Sequence, residues 1–277
     1  MTLARRICAL FELNANGEVM GLPQMLGNSD PMQQLESMCQ TMLHNGVDEI
    51  WLRLSETHSR GISALYEPLR QLRPQVHLPI VAWGHIHSEA EARLLLNLGA
   101  DRVLVDLSEL DPLSPIETIH KFLKATAPDQ IVAGVMASLM GEHTPTWELC
   151  DAEGDTSHLN LIPVLTRMVE MGVSELVFLP SPTSTQTSSD PEFKYGMLEA
   201  AGYSVAAPLV MVLDEEEPWK AALESFMNNA DAVVIPVRGQ HPGAKVRHLK
   251  WALMERQREV RPPQGAYLGL PWLRSSS

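Results

Sequence analysis

Three blocks of this chain occur twice, in the same order and at nearly the same separation. Gly46-Val47-Asp48-Glu49-Ile50-Trp51-Leu52 returns as Gly172-Val173-Ser174-Glu175-Leu176-Val177-Phe178. Leu78-Pro79-Ile80-Val81 returns as Ala207-Pro208-Leu209-Val210. Ala100-Asp101-Arg102-Val103-Leu104-Val105 returns as Ala230-Asp231-Ala232-Val233-Val234-Ile235. A repeat that spans about half the chain favours an architecture built from two similar halves. The competing explanation is that all strand–helix units look alike.

Short β-branched runs alternate with longer helical patterns along the whole chain. Strands are predicted near 6–13, 48–54, 78–83, 102–107, 130–136, 174–180, 207–213 and 232–237. Helices are predicted near 31–45, 62–72, 88–98, 115–126, 159–171, 191–201, 216–228 and 242–257. Strict alternation implies parallel βαβ units. The runs carry few interior polar residues, as strands covered on both faces do. Asp30-Pro31 and Asp190-Pro191 read as caps followed by a first-turn proline. Gly46, Gly99, Gly172 and Gly202 read as left-handed residues that close helices. The predicted fold class is therefore α/β, a (β/α)8 TIM barrel of two half-barrels over residues 1–259, with 260–277 as a C-terminal tail. An open doubly wound sheet is the alternative, and no G-x-G-x-x-G follows the first strand to support it.

The formal net charge is −13. No basic surplus exists to neutralise phosphates, so neither nucleic acid nor an anionic membrane surface is an expected partner. No apolar run approaches the ~18 residues of a membrane span. The N-terminal stretch turns polar too soon for a signal peptide. Cys8, Cys39 and Cys150 lack C-x-x-C spacing, which fits a reduced, cytoplasmic protein without structural zinc. No cofactor motif is present, and none is expected.

Barrel enzymes work at the C-terminal ends of their strands. Those ends carry Glu12 with Asn14 and Asn16, then Arg53 with Glu56 and His58, then Trp83-Gly84-His85, then Asp106. The fifth gives Val135-Met136-Ala137-Ser138, the sixth Ser181-Pro182-Thr183, the seventh Asp214 to Glu217, and the eighth Arg238. Glu12, His85 and Asp106 are the candidate catalytic groups. Arg53, Gly84, Ser181, Asp214 and Arg238 are the candidate substrate-binding residues. Each has a plainer reading. Glu12 can be satisfied by Arg53, and His85 can be a hydrogen-bonded surface group. The acids at 214–217 can serve a helix N-terminus rather than a hard cation. Arg238 can hold an anion or pair with Asp214. Trp83 and Met136 can line a pocket or plug the barrel mouth.

These residues carry a resemblance. Ala4 to Leu13, Gly46 to Leu52, Leu78 to Val105 with Ile86-His87 and Glu91-Ala92-Arg93, Gly172 to Leu179, and Ala230-Asp231-Ala232 resemble the histidine-biosynthesis barrel family. The cyclase subunit of imidazole glycerol phosphate synthase is the member they resemble most. The resemblance runs over roughly residues 4–260. It implies a lyase that makes imidazole glycerol phosphate with ammonia from a glutaminase-like protein partner. It also implies an aspartate ending strand 1, another ending strand 5, and glycine turns for two phosphates after strands 3 and 7. Here the first position is Glu12, and the second is Val135 or Met136, which carry no proton. The turns read Trp83-Gly84-His85 and Val212-Leu213-Asp214, and the latter runs into three glutamates that repel phosphate. Ser181 to Thr185 replaces an acidic, arginine-containing stretch after strand 6. Three functions stay open: an active cyclase, a pseudoenzyme with a binding or scaffolding role, and a barrel retuned for a non-phosphorylated small-molecule ligand at its C-terminal mouth. A mouth partly filled by Trp83, Met136 and residues 181–189 is expected.

Overall fold

A computed structural model describes residues 5–21, 30–55, 61–110, 114–140, 146–180, 191–214, 218–238, 242–256 and 258–262. Eight parallel strands close into a barrel. They are β1 (Arg6–Leu13), β2 (Glu49–Leu54), β3 (Ile80–Trp83), β4 (Arg102–Asp106), β5 (Ile131–Val135), β9 (Glu175–Phe178), β10 (Leu209–Val212) and β11 (Ala232–Pro236). β1 pairs with both β2 and β11, which seals the ring. Helices α1 (Pro31–His44), α2 (Tyr66–Leu72), α3 (Glu89–Leu98), α4 (Pro115–Ala125), α5 (Leu161–Glu170), α6 (Pro191–Ser204), α7 (Pro218–Met227) and α8 (Pro242–Glu255) alternate with the barrel strands. This is a (β/α)8 barrel, as the alternation predicts.

The punctuation behaves as its chemistry requires. Asp30 caps α1 by accepting from Met32 N, with Pro31 in the first turn. Gly46, Gly99 and Gly172 hold φ of +95°, +122° and +100°. Gly202 does not close its helix, because α6 runs on to Ser204. Its bare Cα instead lets Asn229 approach, where an added Cβ would stand 3.0 Å from the amide. The predicted helix at 62–72 opens as a 3-10 turn over Gly61–Leu65 before α2. The α-helix starts where Pro68, which has no N–H, falls in its first turn.

The repeated blocks make equivalent contacts. Asp101 accepts from Ile80 N at 2.8 Å, and Asp231 accepts from Leu209 N at 3.0 Å. Pro79 O accepts from Ile50 N, and Pro208 O accepts from Leu176 N. Both strands therefore start just past a proline that cannot donate.

One sheet lies outside the barrel. β6 (Ala137–Met140), β7 (Thr146–Cys150) and β8 (Thr156–Asn160) form an antiparallel sheet between β5 and α5. The helix predicted from residue 159 starts instead at Leu161, because the preceding residues belong to β8.

Side chains alternate across a strand, so every second residue points into the barrel. The inward set starts with a ring of charge at the N-terminal end. Arg6, Glu49, Arg102 and Glu175 are the first residues of β1, β2, β4 and β9. Arg6 bonds Glu49 and stands 2.8 Å from Glu175, while Arg102 stands 2.7 Å from each carboxylate. Above the ring lies an apolar plug of Cys8, Leu10, Trp51, Val81, Trp83, Leu104, Val132, Met136, Val177, Val210 and Val234. Continuing the same alternation brings Glu12, Arg53, His85, Asp106, Met136, Asp214 and Arg238 to the C-terminal end.

Candidate functional site

The C-terminal mouth divides into two halves with different chemistry. On the first half, Glu12 at the end of β1 sits between two arginines. Arg238 Nη2 stands 2.7 Å from its carboxylate and Nε 3.2 Å, while Arg53 Nη1 lies 3.8 Å away. Arg238 also bonds Asp214 at 3.2 Å, joining the ends of β1, β10 and β11. Both plainer sequence readings of Glu12 and Arg238 correspond to bonds in this network. The Arg53 guanidinium lies 4.2 Å over the Trp83 ring, a cation–π arrangement that fixes both groups.

Trp83 is 2 % exposed and meets Trp51 edge-on, with centroids 6.5 Å apart. Val135 and Met136 are buried at the end of β5. Trp83 and Met136 both belong to the buried apolar cluster inside the barrel. The Gly84 Cα faces Leu54, Ile62 and Leu65, the nearest 3.3 Å from a built Cβ. The Leu213 amide is taken by Val234 O at 3.0 Å. Ser181, residues 181–189, Glu56, His58 and Glu215 to Glu217 lie outside the described residues.

On the second half, Asp106 and His85 come close to one another. Asp106 is 6 % exposed and accepts from Ser108 Oγ at 2.6 Å, from Ser108 N at 3.0 Å and from the Trp83 indole. Burial pushes its carboxyl up to about 6, against the opposing pull of the Ser108 bonds. His85 Nδ1 lies 2.6 Å from Glu109. That bond holds its imidazole above the ordinary histidine range, with burial working against it. A carboxylate on Nδ1 fixes the ring and leaves Nε2 as the working nitrogen, the arrangement used by general bases.

His85, Ser108 and Glu109 line a cavity of about 460 Å³ together with Gly61, His87, Glu91, Leu110, Asp151, Ala152 and Glu153, while Asp106 is not part of that lining. Its outer wall is the β7–β8 turn. Asp151 Oδ1 organises that turn by accepting from Glu153 N and Asp155 N. The turn docks on the loop after β4 through Ala152 N, which donates to Ser108 O at 3.1 Å. Neither this cavity nor a smaller one of about 270 Å³ beside Asn16 and Ser63 is lined by Gly84 or Leu213.

Sequence reasoning identifies His85 and Asp106 but misses Ser108, Glu109, Asp151 and Glu153. A usable signal exists for the turn: Asp151-Ala152-Glu153-Gly154-Asp155 has the acid-plus-glycine composition of a tight reversal. Among the described residues, no three His, Cys, Asp or Glu side chains could hold a metal ion, and no helix is long and apolar enough to cross a membrane. Compared with models of known protein families, the chain matches none.

Proposed function

We propose that this chain is a diverged barrel of the imidazole glycerol phosphate synthase cyclase-like kind. In this reading it has left the ancestral cyclase reaction and binds a non-phosphorylated small molecule beside His85. One observation carries the reading. The carboxylate at the end of β1 is tied between Arg238 and Arg53, and the end of β5 offers only the buried Val135 and Met136. Cyclisation with cleavage needs two groups that exchange protons with substrate, each worth roughly 10²–10⁴-fold. One is missing, and the other is engaged in a three-strand ion network. Gly84 is walled by Leu54, Ile62 and Leu65, and the Leu213 amide is already bonded to Val234 O, which leaves little room for a phosphate cradle at either turn.

The working groups in this reading are His85, oriented by Glu109, and Asp106, held by Ser108. His85 lines the cavity and is the group placed to exchange a proton with a bound molecule, while Asp106 adds its charge from behind the lining. Calorimetric titration of the full chain with imidazole glycerol phosphate tests the reading. No saturable binding is expected up to about 1 mM, the weak limit of specific recognition. Saturable micromolar binding would overturn it.

A further inference from the structure

Arginines point into this barrel at both ends. At the floor, Arg6 stands 2.8 Å from Glu175, and Arg102 stands 2.7 Å from Glu49. At the mouth, Arg238 meets Glu12 at 2.7 Å and Asp214 at 3.2 Å. Arg53 differs. Glu12 Oε1 lies 3.8 Å from its Nη1, beyond hydrogen-bond reach, and among the described residues its guanidinium makes no hydrogen bond. Its position is fixed all the same. The guanidinium stacks 4.2 Å from the centre of the Trp83 ring, and the Trp83 indole is itself bonded to Asp106. A guanidinium stacked by its face keeps its edge, with its five N–H donors, for acceptors in its own plane. The side chain is 30 % exposed, so a molecule entering the mouth can reach it.

The described carboxylates around Arg53 are committed elsewhere. Glu12 and Asp214 both bond Arg238, Asp106 accepts from Ser108 and Trp83, and Glu109 holds His85. The open fork therefore lacks the planar, two-oxygen acceptor that matches it. A carboxylate supplies that shape and that charge. An ammonium group is repelled here, and a neutral hydroxyl gains about half as much from each bond. A phosphoryl group also accepts from arginine, but the turns at Gly84 and Leu213 leave little room for the backbone cradle that holds one. Arg53 also adjoins the cavity. It pairs with Trp83 in the β2–β3 register, and His85, which lines the cavity, follows two residues on along the same inward face. The two side chains are near enough for their charges to interact.

We propose that Arg53 anchors, through its two-pronged fork, the carboxylate of a small organic acid whose other end lies beside His85. The inference rests on the reading of the His85 cavity as the binding site and adds the ligand class and its anchor. The test is calorimetric titration of the full chain with succinate and malate, beside inorganic phosphate, glycerol and 1,4-diaminobutane. Saturable binding of succinate or malate is expected, weakened at least about tenfold in Arg53→Gln. Arg53→Lys, which keeps the charge and loses the fork, is expected to weaken binding as well. Near-ultraviolet circular dichroism identifies the variants that keep their fold, and unchanged affinity in either folded variant would overturn the assignment. Phosphate binding that Arg53→Gln removes, with neither acid bound, would overturn the carboxylate class and the non-phosphorylated reading together. Glycerol or diamine binding that His85→Ala abolishes, with neither acid bound, would overturn the ligand class and leave the cavity reading intact. No binding of any probe would overturn the inference, while the imidazole glycerol phosphate titration decides the cyclase question separately.

Discussion

Asp106 is a side chain whose surroundings oppose its own charge. Its carboxyl rises from 3.8 to about 6 on folding, so the folded state holds its proton more tightly than the unfolded one. The sign follows. Below 3.8 both states are protonated and no penalty exists. The penalty grows as pH rises through the window to about 6 and stays constant above it. Asp106→Asn is therefore expected to stabilise the fold at pH 7.5 by at most about 3 kcal/mol, since each pH unit between the unfolded and folded values is worth about 1.4 kcal/mol. Loss of the charged acceptor for Ser108 reduces that gain. Urea unfolding at pH 7.5 and pH 4 checks this, because the pH-dependent part of the gain must shrink towards zero at the lower pH. His85 has the opposite sign. Its pKa is raised from 6.5, so its bond to Glu109 stabilises most below 6.5, and that contribution is lost as pH rises through the raised value. His85→Asn should flatten the stability profile across that window.

Lys250 adds a third residue-scale case. It is fully buried, with Nζ 2.7 Å from Asp48, which also accepts from Ile7 N and from Arg261 Nε at 2.9 Å. Burial lowers the Lys250 pKa, against the pull of Asp48. Lys250→Ala is expected to cost about 3–5 kcal/mol, because it strips Asp48 of its buried counter-charge. Chemical denaturation gives the loss directly.

At the scale of elements, helix ends and strand starts follow from local chemistry. Gly99 stands at φ +122° with Arg73 Cβ only 2.8 Å from where a Cβ would lie. Gly99→Ala is expected to cost about 1–3 kcal/mol from the backbone conformation alone, and more from the clash, read as a fall in the midpoint of thermal unfolding. The barrel strands are legible because each is a short apolar run bounded by proline, glycine or acid. The three-stranded sheet is not. Ser138, Glu148, Ser157 and His158 interrupt its strands, so neither an apolar run nor a clean alternation marks them. The same contrast governs the site. Glu12, Arg53, His85, Asp106 and Arg238 share the inward alternation of their strands, so sequence parity finds them. Glu109, Asp151 and Glu153 sit on turns, where position is set by hydrogen bonds such as Ala152 N to Ser108 O and no periodicity exists to read.

At the scale of the molecule, the barrel has a charged floor, an apolar middle and a polar mouth. The floor is Arg6, Glu49, Arg102 and Glu175, the residues on which four of the barrel strands open. Burial pushes Glu49 up, but Arg6 and Arg102 outweigh it, and its pKa falls below the ordinary glutamate value of 4.5. Its contribution is present above 4.5 and lost as pH falls through the lowered value. Arg102→Met should cost about 3–5 kcal/mol by leaving two buried carboxylates with Arg6 alone, whereas replacing all four together by apolar residues should cost far less. Denaturation of the single and fourfold variants separates pairing from net stabilisation.

The proposed loss of the cyclase reaction turns on the mouth, where Glu12 is held by two arginines and β5 ends at Val135 with Met136 after it. Expression of the full chain in a histidine-requiring bacterial strain that lacks the cyclase tests that most directly. No growth without histidine is expected, with soluble protein confirmed in the same cells. Growth would show that Glu12 and a second group complete the reaction, and would contradict the proposal of a lost cyclase.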